Sequence, residues 1–414
     1  MMTRNPQVIV VGGGIIGICS ALTLMERGVQ VTLIERDIPA QGASMGNAGV
    51  ISPYSIIPQS VPGLWKNIPR WLLNPHGPVS VRLGYLPSFL PWAIKFLRQG
   101  TAAKVQAAAD AMYMLNHDNI QLYQRHLAGT GFENLIQDSC YVYAFRDEVR
   151  ANLNSLDNDI RRAFGANVHQ LTANELNRLE PALSLDFKSA IVVEGQARAR
   201  SPGKICAVLT EKFNALGGVV VQQRATALIP QSDGWCVKTK SDIFHAPQII
   251  LAAGAWSLQL LEPLGIQAPL EAERGYHVVF KNPGVELNNS VMDMDMKFVA
   301  SSMDMGLRGA GTAEYSGLNH PHNPKRLAAL EQAALRLCPD MLGTEVETWS
   351  GVRPSFPDSL PVIGHIPGYT GLIGAFGHSH WGFMMGPKTG QIVADLALGR
   401  SPNLDLAPYS INRF

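Results

Sequence analysis

Residues 7–37 constrain the fold most strongly, because they combine strand, turn and helix patterns in one fixed order. An apolar run over 7–11 leads into Gly12-Gly13-Gly14-Ile15-Ile16-Gly17, which has the spacing G-x-G-x-x-G. The pattern then predicts a helix over 18–27, a cap at Gly28 and a second strand over 29–34. This order is typical of a βαβ unit that binds the pyrophosphate of a dinucleotide.

The residue types in this turn each have a physical role. Gly12 permits the tight turn, Gly14 leaves space for a pyrophosphate, and Gly17 allows close packing of helix on strand. The N-terminus of the helix offers free backbone N–H groups and a positive dipole end to phosphates, and Ile15 and Ile16 lie in the turn that leads into it. We predict all five residues as cofactor contacts.

The second strand ends on Glu35, where a carboxylate can bind ribose hydroxyls. A carboxylate there would repel a 2′-phosphate, so NADP is disfavoured. We predict Glu35 and the adjacent Arg36 as further cofactor contacts. This unit alone does not distinguish NAD from FAD.

The length and composition exclude several classes of protein. The 414 residues favour two domains, and the net charge of +1 gives no field that would attract nucleic acid. The five cysteines are scattered without a C-x-x-C, which predicts neither a disulfide framework nor a metal site and fits a reducing compartment. No stretch has the roughly 18 uninterrupted apolar residues of a membrane span, so an integral membrane protein is not expected.

Two further segments have small residues that allow close backbone approach to a ligand. The loop over 41–49 contributes Ser44, Asn47, Ala48 and Gly49, and its two polar side chains can hydrogen-bond to the ligand. The apolar strand at 248–251 runs into Ala252-Ala253-Gly254-Ala255. We predict Ala253 and Gly254 as cofactor contacts.

Residues 56–98 are rich in proline and in tryptophan and phenylalanine, and they contain Lys and Arg but no acidic residue. This composition suits a membrane interface, where aromatic rings lie at headgroup depth. It equally suits a buried subdomain around an active site. Both interpretations stay open at this point.

The C-terminal region contains a second glycine-rich loop that leads into a helix. Residues 372–387 read LIGAFGHSHWGFMMGP, and a helix is predicted over 388–398. The N–H groups of Gly382, Phe383 and Met384 would suit the negative charge of a reduced isoalloxazine. Two ligand-binding helix starts at opposite ends of one chain favour FAD over NAD.

Between these ends the pattern alternates in character. Strands are predicted at 190–194 and 219–228 around a helix over 204–216, which suggests that the βαβ pattern resumes near residue 190. Alternation typical of an antiparallel sheet covers 276–280, 297–301 and 307–309. The remaining predicted helices cover 101–128, 148–164 and 324–338.

The chain resembles FAD-dependent amino-acid oxidoreductases of the D-amino-acid oxidase, glycine oxidase and sarcosine oxidase group, and is most similar to the bacterial D-amino-acid dehydrogenase branch. The resemblance covers nearly the whole length. It is carried by 8–36, 44–49, 251–257, Gly351-Val352-Arg353-Pro354 with a downstream Pro-x-x-Gly, and 374–382.

The resemblance implies an α/β fold combined with an antiparallel β-sheet. A GR2-type, Rossmann-like FAD-binding domain would comprise 1–55, 190–267 and 345–414. It would be interleaved with a substrate domain, 56–189 and 268–344, built on an antiparallel sheet with helices.

The resemblance also implies oxidation of a D-amino acid at Cα to an imino acid, which hydrolyses to a 2-oxo acid and ammonia. Electrons would pass to a quinone-type acceptor, and FAD would be non-covalent because no cysteine follows Cys338. We expect a cytoplasmic protein that contacts the inner membrane peripherally through 56–98. The alternatives are a D-hydroxyproline dehydrogenase, an O2-using oxidase of glycine or sarcosine type, and a flavin-binding subunit of a hetero-oligomer.

Four residues are candidates for the substrate site. Arg353 is predicted to bind the substrate carboxylate with its planar fork, and Tyr276 to donate to the same carboxylate or to gate the site. His378 and His380 lie in the C-terminal loop, and one of them is expected to face the substrate and tune amine protonation. Relatives often have a cationic side chain in this loop, where this chain has histidine.

Overall fold

The computed structural model describes residues 7–74, 77–342 and 345–414; the predicted domain limits at residues 1 and 344 lie outside these ranges. The strands are β1 Val8–Val11, β2 Val31–Glu35, β3 Val50–Ile51, β4 Val79–Val81, β5 Ile136–Phe145, β6 Val168–Thr172, β7 Ser189–Ala199, β8 Val219–Gln222, β9 Ala225–Gln231, β10 Gly234–Thr239, β11 Ile243–Ala246, β12 Gln248–Leu251, β13 Glu271–Lys281, β14 Ser290–Asp293, β15 Phe298–Met303, β16 Gly306–Tyr315, β17 Glu345–Ser355, β18 Val362–His365 and β19 Leu372–Phe376. The α-helices are α1 Ile15–Glu26, α2 Ile68–Leu73, α3 Leu86–Leu97, α4 Ala102–Asn116, α5 Asn119–Leu127, α6 Leu156–Ala163, α7 Ala173–Leu179, α8 Pro202–Ala215, α9 Ser257–Leu261, α10 Pro324–Leu337 and α11 Gly382–Ala397.

A six-stranded sheet has the order β18-β19-β12-β1-β2-β8. Strand β1 pairs in parallel with both β2 and β12, and only the edge strand β18 runs antiparallel to its neighbour among the described strands. The predicted βαβ unit is confirmed, although its helix α1 begins at Ile15 rather than at residue 18.

The two faces of this sheet are covered by different layers. Val10 belongs to the apolar core shared with helices α1, α8 and α11. Its neighbour Ile9 belongs to a second core, shared with the three-stranded sheet β11-β10-β9. Alternation along a strand buried on both faces produces this three-layer arrangement.

Glycines allow helix α1 to pack closely on both of its sides. A Cβ atom on Gly17 would overlap the carbonyl oxygen of Gly12 on the strand side. On the opposite side, a Cβ on Gly390 of α11 would lie 2.7 Å from the backbone of Cys19, and one on Gly386 would lie 3.0 Å from Ile15. Strand β1, helix α1 and helix α11 therefore form one tightly packed unit.

A ten-stranded, mixed sheet forms the second layer system. Its main path is β17-β13-β16-β15-β14-β5-β7-β3, with β4 paired to β16 and β6 paired to β7. The predicted antiparallel strands correspond to β13, β15 and β16, and these pair antiparallel as expected. Helix α10 covers one face of the sheet, where its apolar side packs on Val278, Phe280 and Phe298. The combination of an α/β unit with an antiparallel-rich sheet confirms the predicted fold class.

The structure corrects several predicted boundaries. The predicted strand at 190–194 is part of β7, which lies in the ten-stranded sheet and not beside β1. Strand β17 also belongs to that sheet. The predicted strand at 219–228 is two strands, because the chain leaves the six-stranded sheet after β8 and enters the three-stranded sheet at β9. The division into domains stays a prediction. Residues 190–199 and 345–355, which we assigned to the FAD-binding domain, pair with strands of the ten-stranded sheet.

Two predicted helices are shorter than expected. The helix predicted over 101–128 is interrupted between Asn116 and Asn119, which gives α4 and α5. The helix predicted over 148–164 forms only from Leu156 to Ala163. Within the described ranges, no helix has both the length and the apolar character needed to cross a bilayer.

The packing of α11 on α1 predicts the effect of one added methyl group. Alanine normally favours a helix over glycine by up to about 1 kcal/mol, but in Gly390→Ala the methyl would meet the Cys19 backbone. We expect the free energy of unfolding to fall by about 1–3 kcal/mol in urea titrations. Gly84→Ala is the control, because nothing lies within 4 Å of a Cβ there. A Gly390→Ala variant as stable as the wild type would contradict the close packing.

Candidate active site

A cavity of about 1160 Å³ extends from the glycine-rich turn after β1 to the start of α11. Single-ligand pockets are typically about 300–1,000 Å³, so this volume has room for a dinucleotide and a small substrate. Its lining includes one face of the ten-stranded sheet, with residues from β5, β14, β15, β16 and β17.

The backbone of the first turn is arranged as the fingerprint predicts. Gly12 has φ of +109°, a conformation that glycine adopts readily. Glu35 Oε2 accepts a hydrogen bond from the Gly13 N–H at 2.5 Å, and Ser44 Oγ accepts one from the Ile15 N–H at 2.9 Å. Two polar side chains therefore converge on the N-terminus of α1.

Another part of the cavity wall is formed by the stacked side chains of Arg36 and Trp256. The Arg36 guanidinium lies 3.7 Å from the ring centre of Trp256 and is paired with Asp37. Trp256 follows Ala253 and Gly254, so the small residues after β12 leave the ring accessible to the cavity. A planar heterocycle could stack here.

Most of the predicted cofactor contacts reach the cavity. Those that line it are Gly12, Gly14, Ile15, Ile16, Glu35, Arg36, Ser44, Asn47, Ala48, Ala253, Gly254, Gly382, Phe383 and Met384. Gly17 and Gly49 do not line it. Gly17 makes the helix–strand contact described above, and the Gly49 N–H donates to Asn47 Oδ1 at 2.8 Å.

Arg308 supports the loop over 44–49 from beneath and was not anticipated from the sequence. Its Nη1 donates to the carbonyl oxygens of Met45 and Asn47 at 2.8 and 2.7 Å. Burial lowers the pKa of this guanidinium to about 10, so it still carries its charge at neutral pH. The arrangement fixes the loop against the ten-stranded sheet.

His378 lies in the loop that precedes α11 and is almost completely buried. Its Nε2 lies 3.1 Å from Thr389 Oγ1, and burial lowers the pKa of the imidazole to about 3. The ring is therefore neutral at physiological pH. It can orient the loop but is not a proton acceptor of useful basicity.

A buried carboxylate, Glu273, connects the candidate substrate residues. Its Oε1 accepts from Arg353 Nη1 at 2.8 Å and contacts His380 Nε2 at 2.5 Å. Its Oε2 accepts from Ser355 Oγ at 3.0 Å and from Gln59 Nε2 at 3.3 Å. The side chain has no exposed surface.

The charge state of Glu273 follows from these partners. Burial by itself would raise the pKa of the carboxyl, but His380 and Arg353 beside it hold that pKa well below its usual range. Glu273 is therefore an ionised acceptor in the folded protein. A buried charge with this many donors is fully compensated.

Strand pairing between β13 and β17 accounts for this arrangement. Glu273 lies directly opposite Arg353, and two residues further along Gly275 lies opposite Gly351. A Cβ on Gly275 would overlap the Arg353 guanidinium, so the glycine provides the space in which that side chain lies. Arginine and carboxylate are thus held as a cross-strand pair.

The next cross-strand pair forms a stacked aromatic wall. His277 lies opposite Trp349, with ring centres 5.0 Å apart and planes inclined by 15°. Burial, together with the nearby Arg308, lowers the pKa of His277 to about 3. The Trp349 ring crosses Gly351 and Gly46, and a Cβ at either glycine would overlap it.

Several polar atoms that face the cavity lack partners among the described residues. Buried side-chain oxygens without a hydrogen bond include Gln59 Oε1, Thr312 Oγ1 and Ser379 Oγ, and all three residues line the cavity. Thr312 and Ser379 also have positive φ angles of 57° and 47°. Unpaired polar groups and strained backbone at one place are typical of a ligand site.

Arg353 itself keeps hydrogen-bonding capacity for a ligand. Its Nη1 donates to Glu273 and to the Thr312 carbonyl oxygen at 3.0 Å. Nε and Nη2 have no hydrogen-bond acceptor in the part of the chain that the structure describes. The guanidinium lines the cavity, so this edge is the one that remains for a carboxylate.

The structure does not support the predicted role of Tyr276. Its ring is buried in the core between the sheet and α10, and its hydroxyl donates to Glu314 and accepts from the Asn323 N–H at 2.9 Å. It does not line the cavity. Adjacent strand residues face opposite sides of a sheet, so Glu273, Gly275 and His277 lie on the side of β13 opposite to Tyr276. The residues paired with them on β17 are Arg353, Gly351 and Trp349, which line the cavity.

The sequence contained a weak signal for the correct face. Val278 and Phe280 share the alternation of Tyr276, which indicates that the even-numbered residues of β13 form the core. Val279 is also apolar and buried, however, and this obscured the alternation. Glu273 was missed for that reason.

Residues 56–98 have one face that lines the cavity and another that is exposed. Phe89, Trp92 and Phe96 on α3 turn inward and, with Tyr315, line an apolar branch of the cavity. On the outer side of the same segment, Leu83 is 86% and Trp65 64% exposed. The buried-subdomain interpretation is confirmed for the inner face.

Comparisons with known proteins show which family the chain belongs to. The DAO family of FAD dependent oxidoreductases matches residues 7–396. A D-amino-acid oxidase of Bradyrhizobium diazoefficiens is 37% identical over the full length of both chains. The fold is shared with glycine oxidase from Geobacillus kaustophilus, at a TM-score of 0.76, 23% identity and full coverage of both chains. It is also shared with L-proline dehydrogenase from P. horikoshii, at a TM-score of 0.76 and 19% identity, with 100% of this chain and 98% of that chain covered.

The chain therefore belongs to the DAO family and is an FAD-dependent oxidoreductase. The residues present fit this cofactor: Gly12 and Gly14 keep the first turn clear of side chains, and Glu35 offers a carboxylate for ribose hydroxyls. The second glycine-rich loop, which ends at Gly382, lies at the other end of the same cavity. The predicted family and cofactor are confirmed.

The contact of Glu35 with the turn predicts a loss of cofactor affinity on its removal. Glu35→Ala would remove a charged hydrogen-bond acceptor worth about 1.5–3 kcal/mol, so FAD should bind about 10- to 100-fold more weakly. The measurement is fluorimetric titration of the flavin-free protein with FAD. Asp233→Ala, an exposed carboxylate, is the charge-matched control. Unchanged FAD affinity of Glu35→Ala would mean that the ribose contact is elsewhere.

Proposed function

We propose that this chain oxidises a D-amino acid at Cα, with release of a 2-oxo acid and ammonia after hydrolysis of the imino acid. The observation that supports this most strongly is the open Nε–Nη2 edge of Arg353 in the cavity. A guanidinium edge binds a carboxylate through two parallel hydrogen bonds. Bound FAD would supply the hydride acceptor.

The position of Arg353 suits recognition of a small amino acid. Glu273 and the Thr312 carbonyl oxygen occupy Nη1, which leaves the guanidinium in one orientation. Because Glu273 balances the charge of Arg353, the pair needs no further counter-ion when the site is empty. A substrate carboxylate would then bind beside the buried, unpaired hydroxyls of Thr312 and Ser379.

The choice of the D-enantiomer rests on the relative that is 37% identical, whose name states that activity. We further propose that FAD is bound non-covalently. The five cysteines are free and none of them lines the cavity in the described ranges.

Replacing Arg353 by lysine tests the carboxylate contact without leaving Glu273 unpaired. Arg353→Ala would orphan a buried charge, which typically costs about 3–5 kcal/mol, whereas lysine keeps the charge and loses the planar fork. Arg353→Lys should raise the D-amino-acid concentration for half-maximal flavin reduction about 10- to 100-fold, the loss of one charged hydrogen bond. FAD content should be unchanged.

Arg336→Lys, on the exposed side of α10, is the matched control for this measurement. An Arg353→Lys variant with wild-type substrate affinity would remove Arg353 from the carboxylate contact.

We also propose that a membrane quinone accepts the electrons, with O2 as the competing acceptor. Helix α3 exposes Leu86, Leu90, Ile94 and Leu97 along one side, and the first two and Leu97 also border the cavity that Phe89, Trp92 and Phe96 line. This exposed face, with Trp65 and Leu83, is here called the apolar surface. An apolar acceptor could approach the cavity across it.

The charges around the apolar surface favour an anionic bilayer. No acidic residue occurs between Asp37 and Asp110, and that interval contains Lys66, Arg70, Arg82, Lys95 and Arg98. These five side chains are exposed and none forms a salt bridge with a described residue. Basic residues close to an anionic leaflet contribute about 1 kcal/mol each.

Vesicle sedimentation tests this contact. The holoenzyme should sediment with phosphatidylglycerol vesicles and not with phosphatidylcholine vesicles. The triple variant Trp65→Gln, Leu83→Gln, Ile94→Gln should lose most of the vesicle binding, because it removes three exposed apolar side chains. None of the three lines the cavity.

The control triple variant is Val149→Gln, Leu185→Gln, Ile243→Gln, which changes exposed apolar residues elsewhere. Equal loss in both triple variants, or no binding of the wild type, would contradict a specific membrane surface.

A further inference from the structure

An amino acid carries an ammonium group at neutral pH, and its nitrogen lone pair is available only after a proton is lost. A group in the cavity that accepts this proton would assist the proposed oxidation. Two histidines lie near Arg353 in the cavity lining, His378 and His380. They differ in their partners: His378 contacts a threonine hydroxyl, whereas His380 contacts the ionised carboxylate of Glu273.

We propose that His380 accepts the proton of the substrate ammonium and that Glu273 is the positioning residue that orients and stabilises it. This inference rests on the proposed function. In the step, one N–H bond of the ammonium breaks, the proton passes to the imidazole, and the electron pair stays on the substrate nitrogen. No oxidant takes part in this step.

The contacts favour one tautomer of His380. Nε2 lies 2.5 Å from Glu273 Oε1, so the ring proton is best placed on Nε2. The lone pair of Nδ1, which lies 3.4 Å from Gln59 Nε2, is then the one that can accept a proton. In the resulting imidazolium, Nε2 stays paired with the carboxylate, as histidine is held in other carboxylate–histidine pairs.

The distances match the size of an amino acid. Arg353 Nη1 and His380 Nε2 contact the same oxygen of Glu273, at 2.8 and 2.5 Å, so these two nitrogens cannot be further apart than the sum of the two distances. The carboxylate and ammonium of an α-amino acid are attached to one carbon. A substrate bound to Arg353 therefore places its nitrogen on the side of His380.

Gln59 provides an acceptor for the ammonium at this position. Its Nε2 donates to Glu273 Oε2 at 3.3 Å and approaches His380, which fixes the amide plane. Its Oε1 is buried without a hydrogen-bond partner among the described residues and belongs to the cavity lining. An ammonium N–H would satisfy this oxygen.

The accepted proton also has a route out of the protein. The His380 side chain is 41% exposed, whereas that of Glu273 is fully buried. The imidazolium can therefore release its proton to solvent, and Glu273 remains ionised throughout.

The direct test is the pH dependence of flavin reduction, measured by anaerobic stopped flow with a D-amino acid. His380→Gln should reduce the rate at pH 7 about 10²-fold or more, the usual contribution of a general base. The rate of flavin reduction in His380→Gln should rise about tenfold per pH unit, because the fraction of substrate with a free amine rises in that proportion. In His380→Ala, added imidazole should restore part of the rate, because this exposed position is open to solvent.

Glu273 is tested separately from its effect on Arg353. Glu273→Gln should shift the acid limb of the pH profile to lower pH, and Glu273→Asp should partly restore it.

Propionate, which has a carboxylate and no amine, reports on Arg353 through its perturbation of the flavin spectrum. His380→Gln should leave propionate affinity within about twofold of wild type, as should the control His365→Gln, an exposed histidine.

The outcomes separate this inference from the proposed function. If His380→Gln keeps the wild-type rate and acid limb, or imidazole gives no rescue, His380 is not the proton acceptor although the oxidation stands. If no D-amino acid reduces the wild-type flavin, the proposed function itself fails.

Discussion

The close packing of helix α1 between strand β1 and helix α11 is the constraint on which the cavity depends. Gly17 allows contact with the Gly12 carbonyl on one side, and Gly386 and Gly390 allow contact with α11 on the other. The glycine-rich turn precedes α1 and the second glycine-rich loop precedes α11. The packing of these two helices therefore fixes both ends of the cofactor cavity relative to each other, although Gly17 and Gly382 are 365 positions apart in the sequence.

The ten-stranded sheet completes the site through one buried charge. Glu273 connects β13 with Arg353 on β17, with His380 in the loop before α11, and with Gln59 from the segment after β3. A desolvated carboxylate is stable only while its donors stay in place. The interaction that holds β13, β17 and two loops together thus also sets the geometry of the candidate substrate site.

The sequence predicted those parts of the molecule that depend on local patterns. The βαβ unit was found because glycine spacing, helix cap and terminal acid lie within 31 residues, and most predicted cofactor contacts line the cavity. Arg353 and His380 also reach it. The prediction that the strand at 190–194 resumes the βαβ pattern was wrong. An apolar run of this kind indicates a buried strand but does not indicate which sheet contains it.

Non-local pairing explains the other errors. The prediction for Tyr276 lacked one piece of information, because the apolar run Val278–Phe280 conceals in the sequence which face of β13 is buried. Glu273 and Arg353 are a cross-strand pair whose members are 80 positions apart in the sequence, so no local pattern reveals their contact. Likewise, the inward and outward faces of α3 have similar apolar residues, so the sequence could not separate the cavity wall from the exposed surface.

Anaerobic bleaching of the flavin band, at about 450 nm, tests the central claim most directly. The purified holoenzyme would be mixed with D- and L-alanine, D- and L-proline, D-hydroxyproline, glycine and sarcosine in turn. We predict bleaching by D-amino acids and not by their L-enantiomers, with slow recovery of the colour when air is readmitted. Bleaching by none of these compounds, or by the L-enantiomers alone, would contradict it.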